Sequence, residues 1–243
     1  MWHKNILFWL LKNYTLEDAL GVEKSDRQFL AYKKLYKNKN FSDEDYLFLI
    51  LQNALISYQL SGKGEDYHEE FALEAEKNFS GFEDNTMKFY NFFESFLKNC
   101  RNNRRLISIK LKRIKKTLGF YDKFSQNIEF YYKNMSILAE DLSKIMNQSK
   151  ESKTIVFAVK LFSYWARNVF WYIEKFPENL MIPIDSRLEN LFKLSTKKSK
   201  YTKQEIKEFY KELSLKLNIP LLHLDALLWV NYENLLGKFQ KTN

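Results

Sequence analysis

The chain has 243 residues, 45% of them hydrophobic and 28% charged, and its 39 Lys and Arg outnumber 30 Asp and Glu for a net charge of +9. That apolar share excludes wholesale disorder, and one cysteine, Cys100, excludes an intramolecular disulfide and a cysteine-based zinc site. Six glycines and three prolines, where an average chain of this length carries roughly 17 glycines, argue against Gly-rich phosphate loops and for long helices. His3, His68 and His223 are scattered and speak against a His-only metal centre. Neither a metal nor an organic cofactor is expected. The apolar run Ile6–Leu11, flanked by Lys4 and Lys12, is too short for a signal core or a membrane span. The expectation is a soluble, intracellular protein with no membrane partner, whose basic charge favours a phosphate-bearing one.

Helical periodicity predicts helices over 2–13, 25–37, 43–60, 65–79, 85–117, 121–147, 152–173, 186–194, 203–217 and 221–236. Thr15–Asp18, Ser42–Asp45 and Thr202–Glu205 each place a hydroxyl three residues before a carboxylate, a pairing that satisfies two orphan N–H groups at a helix start. Breaks are expected at Gly21, Gly62/Gly64, Gly81, Gly119, Pro177–Pro183 and Pro220. No run alternates with period two for long enough to make a strand. The fold class is therefore all-α.

Residues 101–118 (RNNRRLISIKLKRIKKTL) hold eight basic side chains and no acidic one. Read as one helix, Ile107, Leu111, Ile114 and Leu118 form a buried stripe, while Arg101, Arg105, Lys112 and Lys116 lie opposite, where they suit phosphate oxygens. A solvated face would look the same. Lys193, Lys197, Lys198, Lys200 and Lys203 form a weaker patch among hydroxyls, and a polar loop accounts for it equally well.

The stretch from Ser149 to Arg187 carries more chemistry. Lys153 sits at a helix start, where the positive end of the dipole disfavours an ammonium and so favours the neutral amine that a nucleophile needs. Phe157 and Lys160, four and seven residues on, share its face. Asp185 stands where it caps the next helix and stays ionised. If the first helix ran to Phe176, its end would lie roughly 35 Å from Lys153. The nine residues on to Asp185 reach back about 32 Å. A meeting of the two residues therefore requires a nearly straight return, or a helix that ends before Ile173.

The segments KTIVFAVKLFSY and IPIDSR, with NALISYQLSGKGEDYHEEF (53–71), RRLISIKLKR, Gln28 and LLHLDALLWVNYENLL (221–236), resemble the archaeal GO glycosylases over nearly the whole chain. These are N-glycosylase/DNA lyases of the helix-hairpin-helix superfamily. The resemblance implies a single all-α domain, 1–243, of two interleaved helical subdomains with an active-site cleft between them and the catalytic hairpin and helix at about 140–187. It implies excision of 8-oxoguanine from double-stranded DNA through a lysine Schiff base and β-elimination. Lys153 takes the place of the catalytic lysine and Asp185 that of the catalytic aspartate. Phe157 and Trp229 would sandwich the extruded base, and Gln28, Lys160 and Asp225 would read its edges. Two departures stand out. Met146–Ser152, in the hairpin turn, contains no glycine, and His68 occupies a position where the family suggests tryptophan. Without the resemblance, Trp229 reads as an ordinary core residue. The competing readings are a non-catalytic basic nucleic-acid-binding module and a helical protein scaffold. A monomer is the simpler expectation.

Overall fold

The computed structural model describes residues 6–79 and 86–242. Among these residues every element is helical: α1 Ile6–Leu11, α2 Leu16–Ser25, α3 Arg27–Asn38, α4 Asp43–Ile56, α5 Gly64–Asn78, α6 Met87–Asn99, α7 Ile107–Leu118, α8 Tyr121–Ser125, α9 Ile128–Lys133, α10 Met135–Met146, α11 Lys153–Phe170, α12 Ser186–Thr196, α13 Lys203–Leu217, α14 Leu221–Val230 and α15 Tyr232–Thr242. The expectations at residues 2–5, at 85 and at Gly81 fall outside the described residues. No single helix among those described is long and apolar enough to cross a membrane.

Two compact units divide the chain. Arg27–Glu174 forms a central unit, and the described parts of Met1–Asp26 and Lys175–Asn243 form a terminal unit. In the central unit α4 is buried from Asp45 to Ile56, as a helix apolar on all sides must be, and it packs on α11. Aromatic rings fill the space around that pair. Trp165 stacks on Phe29 at 4.6 Å, Tyr32 lies 5.1 Å from Trp165, and Phe48 meets Phe89 edge-on at 4.9 Å. In the terminal unit α14 is buried from Leu221 to Leu228 and lies on α2. Two fully buried polar groups join these helices, His223 Nδ1 and Glu23 Oε1 at 2.7 Å. The imidazole's other nitrogen accepts the Phe176 N–H, so Nδ1 carries the proton and donates to the carboxylate.

Several helix boundaries differ from the periodicity reading, each for a physical reason. The stretch expected as 85–117 is two helices, because residues 100–106 are held out of helical geometry. The Glu70 carboxylate accepts from the Arg101 and Asn102 N–H groups and from the Asn102 side chain. Ser61 and Gly62 donate their N–H groups to the Asn102 carbonyl. A Cβ on Gly62 would lie 1.9 Å from Asn102 Oδ1, so any larger residue there would displace the Asn102 side chain that bonds Glu70. Leu106 then turns with φ 57°, and α7 starts after it. Arg101 and Arg105 therefore sit on a tied loop and not on the face of α7. The fully buried line of α7 runs through Lys110, Ile114 and Thr117; Ile107, Leu111 and Leu118 are only half-buried.

Gly21, expected as a break, lies inside α2, a helix that the periodicity reading left out although the Thr15 capping box that starts it was legible. The helix expected from 25 accordingly begins at Arg27. The helix expected over 43–60 stops at Ile56, and Gln59 has φ 47°. Residues 121–147 divide into α8, α9 and α10, and 221–236 divides at Asn231. The helix of Lys153 ends at Phe170, where Trp171 adopts φ 63°.

Candidate active site

Within the central unit, Lys153 is the first residue of α11 and is exposed. Phe157 is half-buried on the same face, and Lys160, two turns along, is 5% exposed with its Nζ 5.4 Å from the Tyr164 ring centroid. His68 reaches this face from α5; its ring meets Phe157 edge-on at 5.8 Å. Gln28, on α3 and 6% exposed, carries its amide near the first residue of α5, Gly64. The wall of α11 thus gathers three of the base-binding candidates, Phe157, Lys160 and His68, beside the candidate lysine, while the Gln28 amide lies at the start of α5.

The turn that delivers Lys153 is built without glycine. Asn147 takes φ 51° at the end of α10, Gln148 N–H bonds back to the Ser143 carbonyl, and Ser143 Oγ reaches the Gln148 carbonyl at 2.5 Å. Asparagine tolerates the left-handed conformation better than most residues. Arg113, from α7, donates to both Gln148 Oε1 and Thr154 Oγ1 at 3.1 Å, and Thr154 in turn donates to Gln148. One guanidinium therefore ties the turn to the first turn of α11, next to Lys153.

His68 is 1% exposed, and burial alone drives its imidazole down to about 3. It is a neutral ring throughout the physiological range. Its Nδ1 lies 2.7 Å from the Tyr32 hydroxyl.

Within the terminal unit, Asp185 is the N-cap of α12, and its Oδ1 accepts the Leu188 N–H at 3.0 Å. Asp225 is 5% exposed on α14. Tyr210 marks the neighbourhood of both carboxylates: its phenol is pushed well above the usual range, by burial first and then by the charges of Asp185 and Asp225. Trp229 is half-buried. The Arg187 guanidinium lies 3.8 Å from its ring centroid, a cation–π contact that covers one face. Sequence reasoning gave Arg187 no role. The signal was its place two residues after Asp185, in the first turn of the same helix. Arg113 was missed as well, because its partners lie 35 and 41 residues away.

Arg101, Arg105, Lys112 and Lys116 are all exposed, and among the described residues none of them is ion-paired. Lys112 and Lys116 share a face of α7, and Arg101 and Arg105 belong to the tied loop before it. In the second basic patch, Lys193 pairs with Glu189 and Lys198 with Glu205. Among the described residues no group of three or more His, Cys, Asp or Glu side chains is placed to hold a metal.

The helical arrangement matches a solved structure, the 8-oxoguanine DNA glycosylase of Pyrobaculum aerophilum in complex with 8-oxoguanosine, with a TM-score of 0.77 over 93% of this chain and 86% of that one, at 23% identity. The fold is therefore that of an all-helical DNA glycosylase. Sequence comparison is more specific. The AGOG family model, described as N-glycosylase/DNA lyase, matches residues 9–242. The N-glycosylase/DNA lyase of Nanoarchaeum equitans is 38% identical over 96% of this chain and 94% of its own length. That of Methanococcus maripaludis is 36% identical over 85% and 78%. The chain belongs to the AGOG family of N-glycosylase/DNA lyases. It is a DNA-repair enzyme that acts on DNA.

Proposed function

We propose that this enzyme extrudes 8-oxoguanine from double-stranded DNA, releases it and cleaves the strand, with Lys153 as nucleophile and Asp185 as the anionic partner. Breaking the C1′–N9 bond builds positive charge on the deoxyribose, which a carboxylate at Asp185 stabilises. The Lys153 amine bonds to C1′ as the C1′–N9 bond breaks, and the proton shed by the new C1′–N ammonium passes to N9 of the departing base. Opening of the sugar ring gives the imine, and loss of a C2′ proton then expels the 3′ phosphate. Phe157 and Trp229 stack on the extruded base, Trp229 with the face that Arg187 leaves uncovered. Gln28, Lys160, Asp225 and His68 contact its polar edges. Arg101, Arg105, Lys112 and Lys116 hold phosphates, and the enzyme works as a monomer without a cofactor.

The observation that carries this reading is the wall of α11. An exposed lysine at a helix start is followed on the same face by a half-buried ring and a buried cation, with a buried neutral imidazole against that ring. The structural neighbour's 8-oxoguanosine complex supports the choice of lesion. Borohydride reduction with a duplex carrying one 8-oxoguanine tests the proposal. Wild-type protein is expected to form a covalent adduct and Lys153→Ala none; an adduct of equal yield from the variant would overturn the assignment.

A further inference from the structure

A line of fully buried polar side chains crosses the central unit and ends on His68. Lys110 Nζ, on α7, donates to Asn103 Oδ1. With its oxygen engaged, Asn103 presents its amide N–H₂ to the Ile56 carbonyl at 3.4 Å and to the Tyr67 hydroxyl. Tyr67 passes its own proton to Asn53 Oδ1. Asn53 Nδ2 donates to the Tyr32 hydroxyl at 2.7 Å, and that hydroxyl lies 2.7 Å from His68 Nδ1. Lys110, Asn103, Tyr67, Asn53 and Tyr32 are each 0% exposed. An ammonium has donors and no acceptor, so the far end of the line sets the direction of every link. The last proton, on Tyr32, then points at His68.

We propose that this one-way relay holds His68 in the tautomer whose Nδ1 accepts and whose Nε2 carries the proton, making the imidazole a donor-only ring for an acceptor atom on the extruded base. Tyr32 and Asn53 are positioning residues in this scheme and touch no substrate. The inference rests on His68 contacting the base, as proposed above. It adds the reason that a histidine can do so with a fixed polarity. An isolated neutral imidazole can present either nitrogen as donor, and would hydrogen-bond an acceptor or a donor with little preference. Fixed from behind by Tyr32, it accepts one edge pattern and leaves the other unpaired, which is how a buried polar group generates selectivity. The ring's burial and its neutrality keep a second proton from undoing the arrangement.

The tautomer can be read directly from the imidazole nitrogens of the full-length protein by ¹⁵N NMR, with His68→Gln to assign the signals. The expected result is a protonated Nε2 and a bare Nδ1 at His68. A proton on Nδ1 would overturn the proposal, and this measurement on the wild type needs no variant to fold. Tyr32→Phe keeps the ring and removes the shorter of the two donors at Nδ1, leaving Asn53 Nδ2 at 3.3 Å. It is expected to slow release of 8-oxoguanine about five- to tenfold, one hydrogen bond's worth, while leaving borohydride trapping at a preformed abasic site unchanged, since no base is present there. Unchanged base release would count against the relay. Failure of the wild type to trap the abasic site would instead overturn Lys153's role and leave the nitrogen assignment standing.

Discussion

The two units hold their candidate residues by different means. In the central unit the candidate residues lie on an uninterrupted helix packed on a buried one, and the side chains around them are fixed from behind. Arg113 pins the turn before Lys153, and a buried chain of hydroxyls and amides backs His68. In the terminal unit the key groups sit at the edges of elements. Asp185 is a helix cap and Trp229 stands near the end of α14 under a guanidinium. The first design makes geometry robust and polarity specific. The second fixes a carboxylate by a backbone N–H that it accepts, so that one residue carries both the proposed chemistry and a capping role.

That contrast can be broken experimentally, starting with the largest effect. Asparagine caps helices about as well as aspartate, so Asp185→Asn is expected to keep the fold and damaged-DNA binding while losing about 10²- to 10³-fold in excision rate. Equal loss of binding and turnover would mean that Asp185 is only a cap. Trp229→Ala is expected to weaken discrimination between oxidised and normal guanine about tenfold, in line with a stacking contribution of about 1–3 kcal/mol. Unaltered selectivity would remove Trp229 from the base site.

Stability against pH sharpens the account of the central unit. His68 has a folded pKa of about 3, far below its ordinary value of 6.5, because of burial. As pH falls below 6.5 the unfolded chain gains a proton that the native ring refuses, so stability is lost on the acid side between about 6.5 and 3. The slope approaches about 1.4 kcal/mol per pH unit. Urea unfolding at pH 6.5 and pH 4.5 should show a smaller drop for His68→Gln than for the wild type; equal drops would contradict the buried neutral ring. The smallest effect concerns phosphates. Lys112→Gln and Lys116→Gln should each lower the slope of log affinity against log salt by about one, with little change in lesion preference.

Much of this molecule was legible in its sequence, for reasons that differ by element. The helix over 203–217 and the starts at Thr15, Ser42 and Asp185 were visible because caps are local: a hydroxyl or carboxylate and the N–H it serves lie three residues apart. The condition that the helix of Lys153 end before Ile173 is met at Phe170, and the fifteen residues from Trp171 to Asp185 can extend to about 50 Å. The loop at 100–106 was invisible because what holds it, Glu70, is more than thirty residues away. Gly21 misled because a glycine facing open space is tolerated inside a helix. The resemblance drew attention to His68, but no periodicity locates the Tyr32 and Asn53 behind it, at 36 and 15 residues' distance.

The central claim is that a single amine, on the first turn of α11, attacks the sugar. Wild-type protein trapped by borohydride on an 8-oxoguanine duplex can be digested and the peptide bearing the nucleotide remnant sequenced by mass spectrometry. The remnant is expected on Lys153 alone; its recovery on Lys150, Lys160 or any other lysine in place of Lys153 would contradict the account.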